Sequence, residues 1–221
     1  MIHLCDVSKG FLAPGAPPRV VLRPTSVDLP SDRVLALLGG RGEGKTTVLR
    51  LLSGGCRGEQ GATLFQGSFS PVVNAGRFLH ASLTGIENMR FVARSQGLDE
   101  DELMLAVDAF CGAGRSLASP VRTMEPATRR GLEVAVAMVL PADCYLIDDA
   151  HALPPGLLAR CIEAARARGA GLVFATAVTR LALLHADAAV VIRDATLRVF
   201  DHPAEGVAFQ EAGAFQQAGD P

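Results

Sequence analysis

Residues 39–46, Gly39-Gly-Arg-Gly-Glu-Gly-Lys-Thr46, match the pattern G-x-x-x-x-G-K-[ST] at every fixed position. The apolar run Val34–Leu38 precedes them and predicts a buried strand, and residues 46–53 follow them with helical character. A strand, a glycine-rich loop and a helix in this order are typical of a phosphate-binding loop, because backbone N–H groups and the helix N-terminus converge on an anion. A glycine-rich turn that matches by chance is the alternative, and the flanking elements disfavour it.

The loop predicts how a nucleotide and Mg²⁺ would be bound. Lys45 is expected to bridge the β- and γ-phosphates, and the Thr46 hydroxyl is expected to ligate Mg²⁺. Glu43 is unusual in such a loop, because a carboxylate near a polyphosphate is repelled unless it points to solvent, and it lowers the expected affinity. The predicted phosphate-binding residues are Gly39, Gly40, Arg41, Gly42, Glu43, Gly44, Lys45, Thr46 and Thr47.

A second apolar run, Cys144-Tyr-Leu-Ile-Asp-Asp149, ends in two carboxylates about a hundred residues after the loop. If this run is a parallel strand that neighbours the first strand, Asp148 would reach the Mg²⁺ held by Thr46, and Asp149 could polarise an attacking water. The alternative is a pair of solvated acids that caps the next segment. The phosphate loop favours the metal role for Asp148, and Asp149 is the candidate catalytic residue.

Apolar runs alternate with helical patterns along the chain, which predicts an α/β fold with a mostly parallel sheet covered on both faces. Residues 2–28 suggest strands joined by a Pro/Gly-rich turn. The acidic run at 99–102 suits the first turn of a helix. Further strands are predicted at 144–147, 172–176, 188–192 and 196–200, helical patterns at 83–118, 129–139 and 157–168, and a tail that can fray at about 211–221.

The composition excludes several classes of protein. The net charge is −2, whereas duplex DNA and polybasic membrane surfaces select a surplus of positive charge, so we expect no nucleic-acid partner. Charged residues interrupt the most apolar stretches, so no direct membrane insertion is expected either. The five cysteines are widely spaced and odd in number, which argues against a disulfide framework and favours a reducing cytosol.

At this point the chain resembles the ATP-binding subunits of ABC transporters and, among them, those of bacterial capsular polysaccharide exporters. The resemblance rests on the phosphate loop with residues 48–54, on residues 144–148, and on Ser82-Leu-Thr-Gly-Ile-Glu-Asn-Met-Arg-Phe-Val-Ala-Arg-Ser-Gln-Gly97. It runs from about residue 2 to 209. It implies one nucleotide-binding domain over residues 1–221, with an antiparallel β subdomain and a helical subdomain at about 80–140. Nothing remains for the C-terminal sugar-binding domain of some O-antigen exporters, which favours the capsule type.

The resemblance also implies roles for single residues, and several positions depart from the family pattern. Phe11 takes the place of the aromatic that stacks on adenine, although an ordinary half-buried strand aromatic is nearly as good an interpretation. The signature loop falls on residues 124–128, where Glu125 and Pro126 replace a Ser-Gly-like sequence. Asp149 stands for the catalytic glutamate and Ala177 for the switch histidine. His151 is expected to be a surface residue, and residues 69–76 contain no convincing glutamine.

The retained and lost positions together predict a subunit that binds MgATP and hydrolyses it slowly or not at all. The implied partners are a membrane permease, contacted through the helical subdomain, and a second ATP-binding subunit in a homodimer or heterodimer. The implied location is the cytoplasm, peripheral on the inner face of a bacterial cell membrane. A non-catalytic regulatory or scaffold subunit that acts on a competent relative is the alternative. A small-molecule kinase is disfavoured, because the exporter-like segment 83–97 would have no function in such an enzyme.

Overall fold

The computed structural model describes residues 1–12, 15, 17–73 and 79–217, with side chains up to 213. Eight strands are described: β1 (Ile2–Phe11), β2 (Arg19–Leu29), β3 (Val34–Leu38), β4 (Gln60–Phe65), β5 (Cys144–Ile147), β6 (Gly171–Thr176), β7 (Ala188–Arg193) and β8 (Thr196–Phe200). Seven α-helices accompany them: α1 (Lys45–Leu52), α2 (Gly85–Gln96), α3 (Glu100–Cys111), α4 (Pro126–Val139), α5 (Leu157–Ala167), α6 (Thr179–His185) and α7 (Pro203–Gln217).

The central sheet has the strand order β5-β6-β3-β7-β8, in which only β8 runs antiparallel to its neighbour. Both faces of β3 are buried. Val34, Ala36 and Leu38 pack on one face with α4 and α5, whereas Leu35 and Leu37 pack on the other face with α1. Side chains alternate between the two faces of a strand, so a strand covered on both sides is a continuous apolar run. The predicted α/β fold with a mostly parallel core is confirmed.

A second, antiparallel sheet with the order β2-β1-β4 lies against the α1 face. Its inward side chains, among them Ile2, Leu4 and Leu22, are buried in the same cluster as α1. The short strand β4 and the helix α6 were not foreseen from the sequence. The helix α7 extends through the first part of the segment predicted to fray, and residues 218–221 lie outside the described part of the chain.

The helices α2, α3 and α4 share a third apolar core, built from side chains between Leu79 and Leu140. Thr84 and Glu87 form a capping box at the start of α2, in which the Thr84 hydroxyl accepts from the Glu87 N–H at 3.1 Å. Asn88 is a buried residue of α2, and its side-chain amide donates to the backbone oxygens of His80 and Thr84 at 3.1 and 2.9 Å. The Thr-x-x-Glu-Asn run of the sequence therefore fixes how this helical unit begins. Across the described segments, no helix combines the length and apolarity needed to cross a membrane.

Candidate nucleotide-binding site

The glycine-rich loop leads from the end of β3 into the first turn of α1. Gly42 and Gly44 have φ values of 84° and 106°, a left-handed region that side-chain-bearing residues rarely adopt. A Cβ on Gly44 would also collide with the Val21 side chain. These two glycines allow the chain to turn sharply, so that the N-terminus of α1 begins at Lys45 and faces the loop.

Lys45 is buried, and its ammonium group is bound to its own loop. Its Nζ donates to the carbonyl oxygens of Gly39 and Gly40, both at 2.8 Å. Burial lowers the pKa of Lys45, while the carboxylates of Asp149, Glu43 and Asp148 act in the opposite direction. The ammonium group is therefore held by two neutral acceptors, which a charged phosphate can replace with stronger, charge-assisted bonds.

Glu43 neither points fully into solvent nor into the phosphate side of the loop. Its carboxylate accepts a hydrogen bond from the Gly40 N–H and is half-buried. It is not among the residues that line the adjacent cavity. From the sequence, solvent exposure was the expected way for Glu43 to avoid repulsion by phosphate. In the structure its carboxylate is instead turned back onto its own loop.

Thr46 and Asp148 are in direct contact, as predicted for the two magnesium ligands. The Thr46 hydroxyl donates to Asp148 Oδ2 at 2.5 Å. The topology that produces this contact differs from the expected one, because β5 pairs with β6 and β6 lies between β5 and β3. The two parallel strands end at the same edge of the sheet, and the first turn of α1 spans the end of β6. The expectation that β5 neighbours β3 is wrong.

Burial raises the pKa of the Asp148 carboxyl above its usual range, and the Thr46 hydrogen bond counteracts part of this effect. Asp148 Oδ1 accepts from the Asp149 N–H at 3.0 Å, and the Asp148 N–H donates to the Val73 carbonyl at 3.0 Å. A hydroxyl and a carboxylate fixed at one point are hard oxygen donors of the kind that Mg²⁺ uses together with nucleotide phosphates. The residues present fit a magnesium site.

A cavity of about 560 Å³ opens beside the loop, a size typical of small-molecule sites. Five separate parts of the chain line it, including the end of β1, the start of β2 and the segments after β5 and β6. Arg19, Val21 and His151 were not predicted as site residues, and only their tertiary position reveals them. His151 is exposed, as expected, yet it faces this cavity. The lining residues are Phe11, Arg19, Val21, Arg41, Gly42, Gly44, Lys45, Thr46, Thr47, Asp149, His151 and Ala177.

Three positions that are predicted to depart from the family pattern are exposed, namely Glu125, Asp149 and Ala177. Asp149 is exposed and adopts a left-handed backbone conformation with φ 46°, which Asp tolerates better than most residues. Ala177 borders the cavity with a methyl group only. Glu125 is the N-cap residue of α4 and makes no side-chain capping bond, and Pro126 is the first residue of that helix. Residues 74–76, which belong to the segment without a convincing glutamine, lie outside the described residues.

The sequence matches the family model "ABC transporter" over residues 22–152. Among curated proteins it is 31% identical to the polysialic acid transport ATP-binding protein KpsT of Escherichia coli over 156 residues, which cover 69% of each chain. It is 32% identical to the capsule polysaccharide export ATP-binding protein CtrD of Neisseria meningitidis over 154 residues, 69% of this chain and 70% of that one. These relatives are similar throughout most of their length.

Solved structures show the same fold at lower sequence identity. An ATP-binding subunit of an ABC transporter superposes with a TM-score of 0.71 at 22% identity, covering 90% of both chains. The dimeric ATP-binding cassette MJ0796, bound to ADP and phosphate, superposes with a TM-score of 0.77 at 15% identity, covering 91% of this chain and 98% of that one. The family match, the curated relatives and the fold agree: the chain belongs to the ABC transporter family, as one of its ATP-binding domains.

Proposed function

We propose that the chain is the ATP-binding subunit of an ABC-type exporter of capsular or other cell-surface polysaccharide, that it binds MgATP, and that it hydrolyses ATP slowly or not at all. Residues 1–221 would act as one nucleotide-binding domain with a helical subdomain at about 80–140. The observation that carries the proposal is the contact of Thr46 with Asp148 beside Lys45, at the wall of a nucleotide-sized cavity. The names of the relatives KpsT and CtrD supply the class of exported substrate.

The chain's own groups account for binding. The loop N–H groups and the α1 N-terminus attract the phosphates, and Lys45 exchanges its loop carbonyls for phosphate oxygens. Thr46 and Asp148 would hold Mg²⁺, which neutralises phosphate charge when bound. Phe11, 49% exposed at the end of β1 and at the cavity wall, offers a ring face to adenine.

Hydrolysis needs further groups that this chain has replaced. Ala177 offers no side-chain donor or acceptor at the cavity. Asp149 is one methylene shorter than glutamate. At the start of α4, Glu125 carries a negative charge where a partner's phosphate would approach, and Pro126 has no N–H. Each group that acts on a transition state commonly contributes about 10²-fold in rate, so the combined losses reduce turnover strongly, although not additively.

The proposed partners are a membrane permease and a second ATP-binding subunit, with the protein at the cytoplasmic face of a bacterial cell membrane. A cleft of about 740 Å³ lies between α2 of the helical unit, the end of α1 and the segment 68–72. Phe91 of α2 stands at its edge with 70% of its surface exposed. An aromatic side chain this exposed beside a cleft is typical of an interaction surface, and it supports docking of the permease through the helical subdomain.

The test compares wild type, Lys45→Ala and the control Arg57→Ala, each purified with the permease. Arg57 is exposed and does not line the nucleotide cavity. We expect MgATP binding in wild type and Arg57→Ala, a loss of roughly 10²-fold in affinity in Lys45→Ala, and little phosphate release in any of them. Failure of wild type to bind nucleotide contradicts the whole proposal. Phosphate release at ordinary transporter rates, abolished in Lys45→Ala, contradicts the claim of impaired hydrolysis.

A regulatory or scaffold role remains the second candidate, favoured by the same replaced positions. The two are separated by reconstitution. A complex of this chain and its permease that transports without another ATPase supports the exporter subunit. ATP-dependent association with a second, hydrolytically intact ATPase, without transport by this chain alone, supports the regulatory role.

A further inference from the structure

Arg19 is the charged residue among the three cavity-wall residues that were not predicted from the sequence. It is the first residue of β2, and in the β1–β2 ladder it lies directly opposite Phe11, the last residue of β1. Both side chains are exposed and both line the nucleotide cavity. The strand pairing therefore places the backbone of Arg19 opposite that of Phe11, whose ring is proposed to bind adenine.

The Arg19 side chain extends from this ladder to the phosphate loop. One of its terminal nitrogens donates to the carbonyl oxygen of Gly42, at the tip of the loop. Gly42 has a positive φ and lines the cavity as well. The arginine thus bridges the adenine side and the phosphate side of the cavity, with its charged end at the loop.

The charged groups around the cavity bear on what Arg19 can bind. The carboxylates of Asp149, Glu43 and Asp148 interact electrostatically with the buried Lys45 ammonium and raise its pKa against the effect of burial, so they also offset its attraction for an incoming anion. Arg19 and Arg41 supply the other positive charges of the wall. Of these two, Arg19 is the one that the structure fixes by a hydrogen bond to the loop.

The contact with Gly42 joins a charged donor to a neutral carbonyl. A guanidinium group binds a phosphate more strongly, through charge-assisted and often bidentate hydrogen bonds. A nucleotide phosphate in the loop would lie close to the Gly42 carbonyl, so the exchange needs only a local movement of the side chain. We propose that Arg19 is a nucleotide-binding residue that leaves the Gly42 carbonyl and binds a phosphate of the bound nucleotide.

This inference rests on the proposed nucleotide binding, and it assigns Arg19 a binding role without a catalytic one. The test measures ATP affinity and the rise in melting temperature caused by Mg²⁺ with ATP or with inorganic tripolyphosphate, a probe that lacks adenosine. The variants are Arg19→Ala, Arg19→Lys and, as the matched control, Arg23→Ala. Arg23 is another exposed arginine of β2 and does not line the cavity.

We expect Arg19→Ala to weaken ATP binding by roughly tenfold or more, and to reduce the melting-temperature rise with ATP and with tripolyphosphate alike. Arg19→Lys keeps the charge without the planar fork and should retain part of the affinity. The loss in Arg19→Ala should shrink as salt concentration rises, because the contact is ionic. Arg23→Ala should behave as wild type.

Three results overturn the inference. Wild-type affinity in Arg19→Ala removes the role altogether. A reduced response to ATP with an unchanged response to tripolyphosphate assigns Arg19 to adenosine instead of phosphate. A lower melting temperature without ligand, together with an unchanged ligand response, shows that Arg19 only stabilises the loop. If wild type itself binds neither ligand, the proposed function fails together with this inference, which distinguishes that case from the other three.

Discussion

The phosphate-loop region and the segments that carry Glu125, Asp149 and Ala177 differ in how the fold holds their side chains. Lys45 and Asp148 are buried, and each has hydrogen-bond partners within the chain. Glu125, Asp149 and Ala177 are exposed. In the first region, buried side chains are fixed by hydrogen bonds within the chain. In the second region, side chains point outward, so their residue type alone decides which chemistry they can supply.

This difference means that binding and turnover need not be lost together. Replacing Lys45 or Asp148 would disturb a buried polar network, since removal of one partner leaves the other desolvated and unpaired. Replacing an exposed alanine or glutamate disturbs little of the fold. A chain of this kind can lose hydrolysis residues while its nucleotide-binding core stays intact, and each of the following experiments tests one side of that comparison.

The largest effect is expected from restoring the outward-facing groups. The double variant Ala177→His/Asp149→Glu supplies a histidine at the cavity and a longer carboxylate. We expect phosphate release by the complex with its permease to rise by roughly tenfold or more, with MgATP affinity unchanged. The matched control, Val178→His/Asp149→Glu, places the histidine one residue farther along, at a side chain that does not line the cavity. Equal rates in the two variants would show that Ala177 is not the deficient position.

A smaller effect is expected from a substitution of the buried Asp148. Asp148→Asn keeps an oxygen that can accept from Thr46 but removes the charge. ATP affinity in Mg²⁺ should fall by roughly tenfold, because metal-coordinating carboxylates and their supports commonly contribute that much. In excess EDTA the variant should bind ATP at least as well as wild type. The control is Asp143→Asn, an exposed carboxylate bonded to Ser68 just before β5. The same loss with and without Mg²⁺ would assign Asp148 a structural role only.

The smallest effect concerns the start of α4. Glu125 occupies its N-cap position without a side-chain capping bond, whereas the Asp99 carboxylate caps α3 by accepting from Asp101 and Glu102 N–H groups, both at 2.9 Å. Glu125→Ser should add a cap worth about 1 kcal/mol and raise the melting temperature by about 2–4 °C. Asp99→Ala should lower it by a similar amount. A lower melting temperature in Glu125→Ser would mean that the carboxylate contributes more through the helix dipole than a cap does.

The sequence predicted the parts of the fold whose local pattern is strong. β3, β5 and β8 have the predicted bounds. β3 and β5 are continuous apolar runs between glycines or charges, which leaves little freedom, whereas β8 includes the exposed Arg198. The strand β4 escaped prediction because its first three residues, including Gly61, are exposed and polar or small, which leaves no clear apolar alternation. The helix α6 has only seven residues, too few for a clear helical period.

Some residues of the candidate site could likewise be predicted from the sequence, and others could not. The sequence named Lys45, Thr46 and Asp148, because motif spacing identifies the first two and because parallel strands end at the same edge of a sheet, whichever strands are neighbours. It could not name Arg19 or His151, and it put β5 beside β3, because strand order is set by contacts between residues more than a hundred positions apart. Glu43 was judged by its charge alone, while its direction depends on the Gly40 N–H, which only the folded loop presents.

The sequence by itself thus determined the phosphate loop and the alternation of strands and helices, and it predicts replaced positions at Glu125, Asp149 and Ala177. These are local properties, fixed by residue type and by spacing of a few residues. Only the tertiary structure decided which distant groups meet: that Thr46 reaches Asp148 across the end of β6, that Arg19 stands opposite Phe11 and reaches Gly42, and that Lys45 and Glu43 fold onto their own loop. Such contacts depend on packing and on how chain segments pair, and no local pattern encodes them.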